Sequence, residues 1–139
     1  MPALPKEMIT EHFSWGEFHC RDAQRTNIPD EYKPSVVRLC RNLEVLREAL
    51  GGKEIIVHSG YSTPEHNATI APRVPDSQHT LGTAVDFHIE DLTMGEIRRE
   101  IEKLISLGKM QEGGLGQYLT HVHYDVRTDK NGNPDRARW

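Results

Sequence analysis

The chain has 139 residues, with 17 Lys+Arg against 21 Asp+Glu and a formal net charge of −4. That is room for one domain, 1–139, and the acidic balance argues against a nucleic-acid binder. No run approaches the roughly 18 apolar residues of a membrane span, so no membrane insertion is expected.

In chain order, the first thirty residues, with Phe13, Trp15 and Phe18, read as a packed irregular arm (1–30). The opening MPALPKEMITEHF has no apolar h-region, so no secretory signal is visible and a soluble chain, cytoplasmic at synthesis, is expected. Cys20 and Cys40 form no CxxC pair and read as two ordinary reduced thiols. A helix is predicted over 34–50. Val36, Leu39, Cys40, Leu43, Leu46 and Leu50 recur at 3–4 spacing, Pro34 sits in the first turn, and Gly51-Gly52 ends it.

The β-branched run 54–57 predicts a strand. Residues 59–81 are rich in Gly, Pro, Ser and Asn, with Pro64 opening a short helix to about residue 70. Over 83–90, Val85, Phe87 and Ile89 alternate with Ala84, Asp86 and His88, the period of a half-buried strand. A second helix is predicted over 93–107, opened by the Thr93/Glu96 capping box and stopped by Gly108. Alternation returns after Gly113-Gly114 and again over 121–127. The segment 129–134 reads as a turn, and Trp139 is expected to fold back onto the core. Helices segregated from non-adjacent strands make the fold class α+β, a small, mostly antiparallel sheet flanked by helices.

Eight histidines are many for so small a chain, and histidine both ligates metals and carries protons near neutral pH. On a strand, His121, His123, Asp125 and Arg127 share one face, while Val122, Tyr124 and Val126 share the other. Taken alone, such a polar face is most often just solvated. Ala84, Asp86 and His88 form a second polar face, so two neighbouring strands would bring Asp86 to His123. Upstream, Ser77-Gln-His79-Thr-Leu-Gly82-Thr-Ala84-Val-Asp86 sets a His seven residues before the Asp, with a Gly to turn the chain. A catalytic zinc site takes three N/O ligands and keeps one open position. His79, Asp86 and His123 supply that set, and Ala84 leaves space beside it. Of the other histidines, His66 reads as a loop-ordering residue and His88 as a possible neighbour of the site. His12, His19 and His58 read as structural or surface residues.

These segments resemble the zinc D-Ala-D-Ala carboxypeptidases and related murein endopeptidases, which share a fold with lysostaphin-type peptidases and the hedgehog signalling domain. The resemblance rests on SGYSTPEHN (59–67), SQHTLGTAVD (77–86), GGLGQY (113–118), HVHYDVR (121–127), the Arg138-Trp139 pair and the lead-in EHFSWGEFHCRD. It implies zinc held by His79, Asp86 and His123, with Ser77 helping to orient substrate. The substrate implied is a peptidoglycan stem peptide, cut at D-Ala-D-Ala or at L-Ala-D-Glu, with the enzyme reaching the cell wall after lysis or export.

Two departures matter. Thr120 stands where many relatives carry an acidic general base, so catalysis is assigned to His121, the first histidine of HxH. Ser62 stands where relatives often carry an Arg that holds a substrate carboxylate, so that either Arg73 or Arg127 takes the task or the substrate has no free C-terminus there. Asp125 is expected either to hydrogen-bond a ligand ring or to pair with Arg127. The competing expectation is a zinc-binding module without hydrolysis, and a monomer is the default.

Overall fold

A computed structural model describes residues 4–70 and 77–139. The arm is packed, but it holds more regular structure than its sequence suggests. Met8–Thr10 (β1) and Phe13–Ser14 (β2) pair antiparallel, and Trp15–Phe18 (α1) follows. Elements of two to four residues are too short for a periodicity to mark them. Phe13 and Phe18 are buried and meet edge to face, ring centroids 6.0 Å apart. Glu17 folds back to accept the Ser14 N–H at 2.8 Å, closing the first turn of α1.

After a 3-10 turn at Asp30–Tyr32 comes Lys33–Ala49 (α2), the first predicted helix. It buries Val36, Leu39, Cys40, Leu43 and Leu46 and stops where Gly51 and Gly52 take φ of 76° and 83°. One carboxylate on α2 ties down the arm. Glu44 accepts from Thr10 Oγ1, the His12 N–H and His12 Nδ1, each at 2.7 Å. Burial opposes its ionisation, but these hydrogen bonds outweigh it and hold the carboxyl below its ordinary value. A carboxyl whose folded pKa is depressed stabilises above its unfolded value and loses that stabilisation as pH falls through the folded one. Glu44→Gln should therefore cost about 1 kcal/mol in urea unfolding at neutral pH, the carboxylate being partly hydrated. The gap to the wild type should close below about pH 4.5; a gap independent of pH would mean the charge is irrelevant.

Ile56–Ser59 (β3) starts two residues later than the predicted strand, and Pro64–Asn67 (α3) is shorter than predicted. Thr63 caps α3 by accepting the His66 N–H at 3.1 Å. A 3-10 turn at Gln78–Leu81 leads into Ala84–His88 (β4). Met94–Ser106 (α4) follows with the predicted Thr93/Glu96 capping box, then Gly114–Gln117 (β5), Val122–Asp125 (β6) and Ala137–Arg138 (β7).

The fold is α+β. Beside the small β1–β2 sheet stands a five-stranded one in the order β3-β4-β6-β5-β7, antiparallel except where β7 joins β5 in parallel. Val85, Phe87, Ile89, Leu115, Val122, Tyr124 and Val126 are buried with the apolar stripes of α2 and α4. Cys20 and Cys40 are buried and free, as expected, and burial pushes the Cys40 thiol well up. Among the described residues no helix is long and apolar enough to cross a membrane.

Candidate metal centre

Strand β6 lies between β4 and β5, and its register builds the site. His123 stands opposite Asp86 on one side and Gly116 on the other, while Asp125 stands opposite Ala84 and Gly114. Each polar side chain of β6 thus has small neighbours where room is needed.

His79 arrives from the 3-10 turn. Ser77 Oγ heads that turn by accepting the His79 N–H at 3.2 Å, and Gly82 closes it at a φ of 71°, a conformation that favours glycine. His79 Nδ1 donates to the Gly60 carbonyl at 2.8 Å, and its other ring nitrogen, Nε2, lies 3.2 Å from Asp86 Oδ1. Gly60 is itself pressed on the arm, since a Cβ there would sit 2.9 Å from Phe18 Cα. The arm therefore sets the carbonyl that orients His79.

His123 Nδ1 lies 3.0 Å from the same Asp86 Oδ1. Its other nitrogen, Nε2, is 2.7 Å from Asp125 Oδ2. Asp125 is wholly buried and also accepts from the N–H groups of Gly114 (2.9 Å) and Arg127 (3.0 Å) and from Arg127 Nε (2.9 Å) and Nη2 (2.8 Å). Asp125 thus bonds the His123 ring and Arg127 at once.

Burial opposes ionisation of Asp86, yet the hydrogen bonds of His123 and His79 outweigh it and hold the carboxyl far below its usual range. For Asp125, burial is likewise outweighed by His123 and Arg127, which hold its carboxyl well down. Burial works against protonation of His123, but the Asp125 and Asp86 carboxylates overcome it and raise its pKa.

One ligand atom from each of His79, Asp86 and His123 lies within 4.8 Å of the others, a group that could hold a metal ion. The donor chemistry fits zinc. Two imidazoles have their far nitrogens tied to a carbonyl and a carboxylate, and a third donor is ionised.

His121 flanks this group. Its Nε2 is 3.9 Å from Asp86 Oδ2, Thr120 Oγ1 is 3.3 Å from its Nδ1, and its ring stacks on Tyr118 at 4.5 Å between centroids and an interplanar angle of 13°. Tyr118 Oη accepts from Trp139 Nε1 at 2.7 Å. Trp139 does not enter the core. It is 44% exposed and lies over the site, 4.9 Å from the His123 ring, with the Arg127 guanidinium 5.4 Å above it. Trp139 ends up there because Gly116 offers no Cβ, which would collide with the indole. Arg73 lies outside the described residues.

Three features escape the sequence reading. The glycines of GGLG are there to admit neighbours: a Cβ on Gly114 would strike the Asp125 carboxylate, and one on Gly113 the Asp125 backbone. Tyr118 and Trp139 form one aromatic wall, for which the only signal is their place in quoted motifs. His58 faces His88 across β3 and β4, with His58 Nε2 2.6 Å from His88 Nδ1.

No curated protein matches the chain. A sequence profile of the peptidase M15 family matches residues 11–125, a span that takes in the arm from Glu11 and all of His79, Asp86, His121 and His123. With that span covering most of the chain, and a His-Asp-His group that fits a metal inside it, the chain belongs to the peptidase M15 family of zinc metallopeptidases.

Proposed function

We propose that the protein hydrolyses a peptide bond in peptidoglycan stem peptides, with His79, Asp86 and His123 as the zinc ligands and His121 as the catalytic residue. The observation that carries this reading is the position of His121. Its Nε2 is turned to the metal-binding group at 3.9 Å from Asp86 Oδ2, and about a quarter of its side chain is open to solvent. Zinc, when bound, lowers the pKa of a water towards about 7 and polarises a carbonyl.

His121 takes up the proton of the attacking water at Nε2 and returns it to the leaving nitrogen. The Tyr118 stack holds the ring in place for both transfers. Asp125 keeps the proton of His123 on Nε2, so that Nδ1 serves as a ligand atom. Ser77 Oγ, which accepts from the His79 backbone, retains its own hydrogen to donate to a substrate carbonyl.

An internal cut at L-Ala-D-Glu fits better than removal of a terminal D-Ala. Ser62 is uncharged and buried. Arg127 spends Nε and Nη2 on Asp125, and its remaining nitrogen suits a passing substrate carbonyl or side-chain carboxylate.

The test is incubation of zinc-loaded protein with purified stem peptides and whole peptidoglycan, with products identified by mass. Fragments cut between L-Ala and D-Glu are expected, and chelation should abolish them. Loss of the terminal D-Ala alone would reverse the choice of bond, and intact substrate would leave a zinc-binding module without hydrolysis.

A further inference from the structure

The design around His123 recurs one strand away. Two residues after His123, Asp125 lies against Nε2 and leaves Nδ1 turned to the neighbouring strand. Two residues after His88, Glu90 does the same. Its Oε1 lies 3.2 Å from His88 Nε2, and His88 Nδ1 is turned to β3, where it lies 2.6 Å from His58 Nε2. A carboxylate behind an imidazole fixes the proton on the far nitrogen and leaves the near one free to donate its lone pair. The ring geometry matches as well. His58 and His88 have centroids 4.8 Å apart at an interplanar angle of 73°, while His79 and His123 have centroids 5.3 Å apart at 76°.

We propose that His58 and His88 form a second site for a divalent transition-metal ion of the zinc, nickel or copper class, with Glu90 orienting His88. Imidazole suits these ions. Two nitrogens bound to one tetrahedral zinc stand about 3.3 Å apart, so the pair must open from 2.6 Å. The exposed His58 makes that a side-chain movement of under an ångström. Without the ion, the two rings share one N–H···N hydrogen bond. A third imidazole, His121, has its ring centroid 5.8 Å from that of His58, so the second ion sits beside the catalytic side of the first. With two protein ligands and water for the rest, this site is weaker than the one that includes the buried Asp86.

The proposal does not rest on peptidase activity, and its test reads stoichiometry. Full-length, metal-stripped protein is titrated with Zn2+ at neutral pH against a chromophoric chelator. The wild type should take up two equivalents with separable affinities. His58→Gln and His88→Gln, on different strands, should each lose the weaker equivalent and keep the tighter. Glu90→Gln should weaken it by about 10-fold or more, the usual effect of removing such an outer partner. His123→Ala should remove the tighter equivalent and leave the weaker, which separates failure of the main site from failure of this one. His12→Gln, at a histidine already paired with Glu44, serves as the control and should change nothing. Uptake of a single equivalent by the wild type, or survival of the weaker one in both His58→Gln and His88→Gln, would overturn the proposal.

Discussion

His121→Ala is expected to lower kcat by about 10²–10⁴-fold, the range for losing a positioned general acid–base, while the protein keeps its zinc and nearly its KM. The three ligand candidates are oriented without help from His121. His79 leans on the Gly60 carbonyl, His123 on Asp125, and Asp86 lies between them. His121 approaches the outer oxygen of Asp86, and Tyr118, Thr120 and His58 lie about its ring. Thr120 cannot replace it, because a hydroxyl is too weak a base near neutral pH. Zinc content, KM and kcat measured on one preparation separate the roles. A variant that hydrolyses at the wild-type rate would remove His121 from the chemistry, and one that loses zinc would make it a ligand.

The second large effect lies underneath the site. Asp125→Asn should weaken zinc binding by about 10–100-fold and cost about 3 kcal/mol of stability, the scale for breaking a buried ion pair. An amide at this position can still accept the Gly114 N–H, but its NH2 then faces His123 Nε2. The His123 proton is driven to Nδ1, the atom turned towards Asp86, and Arg127 loses its counter-charge. Because the folded pKa of Asp125 is depressed, the stability difference should hold above about pH 4, the unfolded value, and shrink as pH falls below it. Gly114→Ala should reproduce the metal defect without altering a charge, since the new Cβ displaces the same carboxylate. Wild-type zinc affinity in Asp125→Asn, measured by competition with a chelator, would show that the tautomer of His123 is set elsewhere.

Much of this was legible along the chain because strand alternation and helix periodicity are local. Val85, Phe87 and Ile89 announce a buried face, and the same arithmetic puts Asp86 on the other side. The Thr93/Glu96 box marks its helix to within a residue. What alternation cannot convey is which strands are neighbours and in what register. The meeting of Asp86 with His123 was conditional until β4 and β6 proved adjacent. His58 reads as a surface residue and is exposed, but its pairing with His88 depends on β3 lying beside β4, which alternation does not convey. Trp139 does fold back, as its place at the chain end suggests, but where it lands follows from a missing side chain at Gly116. Absent atoms are hard to read from a string of letters.

The glycine strand also bears on local opening. Of the residues in β5, Leu115 alone contributes a large apolar side chain to the core, and the outer partner β7 is two residues long. Such an edge opens below the global unfolding free energy, against the Arg138 ion pairs with Glu102 and Glu112 that hold it. When it does, the amides that pair β5 with β7 exchange with solvent, and the indole that follows β7 leaves the His123 ring. Amide exchange at the edge and access to His123 are then one event, observed from two sides.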